Sequence, residues 1–125
     1  MSDAAAVPMG TPAWQFEPGA WLETVRGRWP RATGAVIGRD DRATAAYAVL
    51  PAGDGSVEVE LLRDGCTVTF EPLRPDAIAD FVAWWASVLP SYEPEVHLFV
   101  MSDADRSLPL TAGLTADQVR DFLGV

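Results

Sequence analysis

The stretch "SVEVELLRDGCTVTF", Ser56 to Phe70, constrains this chain more than any other. Its two ends alternate apolar and polar residues, which is the period of a strand with one buried face. Between them stands Asp64-Gly65, a preferred pair for a two-residue type I′ turn, because both central positions of that turn need positive φ. If Arg63 lies opposite Cys66, then Leu61 faces Val68 and Val59 faces Phe70 on one side of the hairpin. Glu60 faces Thr69 on the other side. Turn chemistry and hydrophobic pattern therefore agree on one register, as a hairpin with a single buried face requires.

A further strand precedes this hairpin. "TAAYAVL" (Thr44 to Leu50) joins it through the looser "PAGDG" (Pro51 to Gly55). Pairing Val49 with Val57 sets Tyr47 opposite Val59 and Ala45 opposite Leu61, which extends the same inner face into a meander. "GAVIG" before it reads as a short edge strand or an extended lead-in. The neighbouring "GRDDR" reads as turn chemistry, with Arg39 and Arg42 near Asp40 and Asp41 in a polar cluster.

A sheet with one apolar face needs helices to cover it. "PGAWLETVRGRWP" places Trp21, Leu22, Val25 and Trp29 at helical spacing, is weakened by Gly27, and is stopped by Pro30. "RPDAIADFVAWWASVLP" is the main helix, with Pro75 at the first helical position and Pro90 at the stop. Ile78, Phe81, Val82, Trp85, Val88 and Leu89 share one side of it, while Trp84 falls at the border beside Asp80. "EVHLFVM" (Glu95 to Met101) is apolar on both faces apart from His97 and suits a central strand. "SLPLTAG" is confined to an edge by Pro109. The last helix opens on "LTADQV", where Thr115 and Gln118 make a capping box and Leu114 and Val119 a hydrophobic staple.

The expected order is α-βββ-α-ββ-α: an α+β, two-layer sandwich with a largely antiparallel sheet and its helices on one face. Residues 1–13 read as a disordered N-terminal tail, because Asp3 stands where a secretory signal needs positive charge and Pro8 and Pro12 interrupt the stretch. Residues 14–125 then form a single α+β domain.

With 18 acidic residues against 9 basic ones, the net charge of -9 repels phosphate backbones, so nucleic acid is not an expected partner. A basic protein or peptide fits better. No apolar run is long enough to span a membrane, and the single cysteine allows no internal disulfide, which suits a reducing, cytoplasmic setting.

The single helices "GAWLETVRGRW", "AIADFVAWWASVL" and "ADQVRDFL", set around three strands and then two, resemble the secretion-chaperone-like fold of type III secretion chaperones and YbjN-like bacterial proteins. The resemblance runs from about Pro18 to Leu123 and includes small size and strong acidity. It implies a non-enzymatic homodimer that holds extended or amphipathic segments of a partner protein. Small bacterial immunity proteins, which neutralise a cognate toxin, are similar in size, acidity and make-up, and the two readings stand side by side.

No reaction motif is present, and no cofactor or metal is expected. His97 is the only histidine and stands mid-strand, where a satisfied sheet-face residue is the simpler reading than a catalytic base. "HLFVMSDAD" runs a hydrophobic strand into Asp103 and Asp105, an arrangement magnesium chemistry uses. A small ligand- or metal-binding enzyme built on His97, Asp103 and Asp105 is therefore the alternative, against solvated turn acids. Cys66 reads as a small buried hydrophobe. Five tryptophans remain to be placed. Trp21, Trp29 and Trp85 belong to helix core faces. Trp84, with Asp80 beside it, and Trp14 and Phe16 ahead of the first helix are the expected partner-binding residues, unless Trp84 packs under a loop such as "SYEP" or the N-terminal pair tucks back onto the domain.

Overall fold

The computed structural model describes residues 2–38 and 43–124. The Arg39, Asp40, Asp41 and Arg42 cluster lies outside the described residues. In chain order the elements are β1 (Ala4–Pro8), α1 (Pro18–Arg28), β2 (Thr33–Val36), β3 (Thr44–Ala52), β4 (Gly55–Leu62), β5 (Val68–Glu71), α2 (Pro75–Val88), β6 (Val96–Val100), β7 (Asp103–Pro109) and α3 (Ala116–Leu123). The strands form one seven-stranded sheet in the order β2-β3-β4-β5-β1-β6-β7, and every neighbouring pair is antiparallel. The α+β class and the helices packed on one side of an antiparallel sheet are as the sequence implies, and two strands join the expected order.

One of them overturns the expectation of a disordered tail over residues 1–13. The segment Ala4–Pro8 is an inner strand, hydrogen-bonded to β5 on one side and β6 on the other. Ala6 pairs with Val68 and with Leu98, and Ala4 pairs with Phe70 and with Val100. Alanine has little strand propensity, so the local sequence does not announce this strand. Its small side chains suit it to the gap, because Ala4 and Ala6 are fully buried beneath the helices where larger residues would collide. Pairing is extended by Asp3 N–H to the Phe70 carbonyl and Met9 N–H to the Glu95 carbonyl.

The β4–β5 register is the expected one, with Leu61 opposite Val68, Glu60 opposite Thr69 and Val59 opposite Phe70. The turn differs from type I′. Only Gly65 has positive φ, and the Asp64 carboxylate instead accepts from the N–H groups of Cys66 (2.8 Å) and Thr67 (2.9 Å) and from the Thr67 hydroxyl (2.6 Å). Aspartate thus closes the loop with its side chain and needs no strained backbone of its own.

The β3–β4 register is displaced by one residue from the sequence expectation. Leu50 pairs with Val57, Ala48 with Val59 and Ala46 with Leu61. The cause is the turn. Ala52 pairs with Gly55 across Gly53-Asp54, and Gly53 takes positive φ at the first central position, the φ pattern of a type II′ turn. A one-residue slip exchanges the faces of a strand. Ala46, Ala48 and Leu50 therefore point inward, and Tyr47 and Val49 point out.

The core gathers Trp21 and Val25 of α1, Ile78, Phe81, Val82 and Trp85 of α2, and Val119 of α3 against one face of the sheet. The strand residues in it, Ala4, Ala6, Ala46, Ala48, Leu50, Val57, Val59, Leu61, Val68, Phe70, Val96 and Leu98, all share that face by register. Each large side chain buried there contributes about 1.5–3 kcal/mol. Helix ends are fixed locally. The Glu17 carboxylate accepts from Gly19 and Ala20 N–H to start α1, and these bonds, Ala20's foremost, hold its pKa below the ordinary value. The Thr115–Gln118 capping box starts α3 as expected.

Candidate functional site

Three parts of the surface carry the residues singled out above. The first lies where α1 and α2 meet. Trp84 is half-buried and edge-on to Trp29, with centroids 5.1 Å apart, and edge-on to Phe81 at 5.4 Å. It packs on the end of α1, and in the "SYEP" loop the Tyr92 hydroxyl donates to the Ala86 carbonyl. Asp80 is exposed and lines a cleft of about 580 Å³ with Trp29, Leu50, Asp54, Arg74 and Asp76. Arg74 precedes the first turn of α2, and its guanidinium lies over Gly55, in the space a Cβ there would take. Three carboxylates share this cleft with one guanidinium.

The second part is the strap from Ala13 to Pro18. Phe16 stacks obliquely on Trp85 at 4.8 Å, and Trp14 meets Phe16 edge-on at 5.8 Å. The Phe16 N–H donates to the Gly65 carbonyl, and the Cys66 thiol donates to the Trp14 carbonyl at 3.1 Å. Trp14 and Phe16 thus tuck back onto the domain. Of the four residues expected to meet a partner, Trp14, Phe16 and Trp84 have rings engaged within the fold, and Asp80 stands at the surface. Cys66 is buried, and burial, then the neighbouring Asp64 charge, pushes its thiol above the ordinary pKa.

The third part is the sheet face opposite the helices. Register places Ala35, Tyr47, Glu60, Thr69, Ala5, Phe99 and Ser107 in one row across it. In the next row Val49 pairs with Glu58, and Glu58 pairs with Glu71. The middle of the face is lined by small residues, Ala5 and Thr69, and flanked by the half-buried rings of Tyr47 and Phe99. Glu60 accepts from the hydroxyls of Thr44 (2.9 Å) and Thr69 (3.4 Å). Partial burial, then the charges of Glu60 and Glu71, raise the Glu58 carboxyl above its ordinary pKa.

His97 belongs to this same face. Its Nδ1 lies 2.7 Å from the Ser107 hydroxyl and its Nε2 lies 3.1 Å from the Glu95 carboxylate. The connectivity is that of nucleophile, base and orienting acid. Neither His97 nor Ser107 lines any of the four clefts described on the surface, and Glu95 is 69% exposed, so the chain of bonds satisfies a sheet-face histidine. Asp103 and Asp105 are not gathered with it. Both are exposed on the edge strand β7, where Asp103 pairs with Arg106 at 3.3 Å. Among the described residues no three His, Cys, Asp or Glu side chains are grouped to hold a metal ion, and no helix is long and apolar enough to cross a membrane.

The open face was the part hardest to read from sequence. The Glu58 and Glu60 alternation and the Glu60–Thr69 pairing were legible. Ala5, Val7 and Phe99 join them only because β1 inserts between β5 and β6. Comparison with protein-family models, with curated proteins and with solved structures finds no match to this chain.

Proposed function

We propose that this chain is a non-enzymatic, chaperone-like protein-binding module whose docking surface is the sheet face opposite the helices. One observation carries the reading. Seven strands are covered by helices on one side only, and the other side presents half-buried Tyr47, Val49, Val7 and Phe99 beside a group of glutamates. Antiparallel sheets commonly leave one face to solvent, and that face is then polar. Here aromatic and aliphatic residues stand in it, a mixture suited to a protein surface, with apolar area for burial and charge for orientation.

The test compares affinity capture by the wild-type chain with capture by the double variant Tyr47→Ser, Phe99→Ser. Circular dichroism first establishes that the variant is folded. A protein retained by the wild type and lost by the variant supports the reading. The same proteins retained by both overturn it.

A further inference from the structure

Apart from the docking face, we propose that the cleft between the start of α2 and the β3–β4 turn binds a small zwitterion, an α-amino acid with an apolar side chain, through Arg74 and Asp54. The cleft has a volume of about 580 Å³, within the range of small-molecule sites. Its one guanidinium is left without an acceptor. Among the described residues Arg74 has no hydrogen-bond or ion-pair partner, and its Nε is buried. A buried guanidinium N–H with nothing to donate to is costly, and folded proteins rarely keep one.

The acids that line the same cleft do not relieve it. Asp76 faces Arg120 of α3 at 3.9 Å, and the Asp80 charge acts on that same guanidinium. Asp54 forms no ion pair among the described residues. Arg74 meanwhile lies over Gly55, the residue that follows Asp54, and its terminal nitrogens fill the space a side chain there would take. The absence of a Cβ at Gly55 lets the guanidinium settle beside the turn. Cation and anion are therefore brought into one cleft without being joined.

The start of α2 adds to the anion side. Pro75 at the first helical position has no N–H, and no side chain caps the N–H groups of Asp76 and Ala77 that follow. Both residues line the cleft with Arg74. A ligand carboxylate set against the terminal nitrogens of Arg74 and these N–H groups gains charge-assisted hydrogen bonds at the positive end of the helix dipole. A simple anion is opposed, because Asp54, Asp76 and Asp80 outnumber Arg74 there and the chain carries a net charge of -9. A molecule with an ammonium group beside its carboxylate enters without net charge and gives Asp54 its partner. Trp29, Leu50 and Leu73 wall the rest of the cleft and suit an apolar side chain.

The experiment is an amide NMR titration of the full chain with L-phenylalanine, 3-phenylpropionate, which lacks the ammonium group, and phenethylamine, which lacks the carboxylate. The expected result is that L-phenylalanine shifts Asp54, Gly55, Arg74, Asp76 and Ala77 with millimolar affinity, the order a ligand of this size attains. Each analogue binds about tenfold more weakly, the effect of losing one charged hydrogen-bonded group. Arg74→Gln, shown to be folded by its own spectrum, weakens L-phenylalanine and 3-phenylpropionate and leaves phenethylamine unchanged. Asp54→Asn brings L-phenylalanine down to the level of 3-phenylpropionate. The comparison of the three ligands on the wild-type chain stands even if a variant fails to fold. Phenethylamine binding as tightly as L-phenylalanine overturns the proposal, since the acids alone would then hold the ligand. Tighter binding of 3-phenylpropionate overturns it in favour of a plain carboxylate. Absence of saturable shifts at concentrations well above millimolar, or shifts confined to the open sheet face, overturns the site itself.

Discussion

Glu58 and Glu71 stand directly opposite each other on β4 and β5, on the face of the sheet that no helix covers. Burial of Glu58, then the charges of Glu60 and Glu71, are a standing cost to its ionised form, so Glu58→Gln is expected to stabilise the free protein at neutral pH, by about 0.2–1 kcal/mol. The pH dependence fixes the sign. The folded protein raises the Glu58 pKa above 4.5, so it takes up a proton before the unfolded chain does. Stability falls as pH rises from the ordinary value to the raised one, then stays flat. The gain from glutamine should be absent below the ordinary value and full above the raised one. Urea denaturation of both proteins across that range checks it, and a gain unchanged at low pH would contradict the cause given.

Asp64 shows the opposite linkage. Its partial burial raises the pKa, but the Thr67 hydroxyl and the Cys66 and Thr67 N–H groups outweigh that and hold the carboxyl below the ordinary 3.8. Its contribution is present above the unfolded value and is lost as pH falls through the folded one. Asp64→Ala is expected to cost about 1–3 kcal/mol at neutral pH, because two backbone donors and a hydroxyl lose their acceptor together. The difference from wild type should shrink in strong acid. Thermal unfolding of the pair at neutral and acid pH measures both parts.

Gly65 closes the same loop with φ of +72°, and a Cβ there would lie 2.8 Å from Gln15 Cβ and 3.0 Å from the Phe16 carbonyl oxygen. Gly65→Ala therefore meets backbone strain of about 1–2 kcal/mol and a collision with the strap. Loss of the Phe16 contact with Trp85 should follow, seen as altered tryptophan fluorescence. Unaltered fluorescence with normal stability would mean that the strap is not held by this close approach.

What could be read in the sequence followed the range of the interactions. The β4–β5 hairpin, the α2 stripe and the Thr115 capping box rest on contacts within a few residues to one helix length, and each is written in local pattern. The β3–β4 register depended on whether the turn used Gly53-Asp54 or the whole of "PAGDG", and both choices keep a plausible alternation; only burial of Ala46 and Ala48 decides between them. β1 is farther out of reach. Ala4–Pro8 has neither strand propensity nor alternation, and its place is set by partners more than 60 residues away in sequence, Phe70 and Val100 among them. The partner-binding expectation for Trp14, Phe16 and Trp84 weighed surplus aromatic rings without knowing that Trp14 packs on Phe16, Phe16 on Trp85, and Trp84 on Trp29 and Phe81.

Trp84 and Trp29 join α2 to the end of α1 through an edge-on ring contact of 5.1 Å. Trp84→Ala should cost about 1.5–3 kcal/mol, since the indole is half-buried and its removal leaves Trp29 partly uncovered. Trp29→Ala should cost a similar amount. The two losses should not add, and a double-mutant cycle is expected to return a coupling of about 0.5–1.5 kcal/mol. Additive losses would show that the two rings do not couple directly and that each is held by its other neighbours, among them Phe81, which touches both.

Ala5 and Ala6 offer the sharpest contrast of faces. Ala6 is fully buried against the helices, between Val68 and Leu98, whereas Ala5 lies between Thr69 and Phe99 on the open face. Ala6→Leu should overpack the core and cost about 1–3 kcal/mol. Ala5→Thr puts a β-branched residue in an inner strand, next to a threonine it can pair with, and should be neutral or stabilising by up to about 1 kcal/mol. Removal of residues 1–8 is the extreme case. It strips β5 and β6 of their shared partner and leaves two unpaired strand edges facing each other across an empty lane. The truncated chain is expected to lose its cooperative unfolding transition and its near-ultraviolet circular dichroism. Survival of both signals at the wild-type midpoint would return the segment to the status of a tail and open the sheet between β5 and β6.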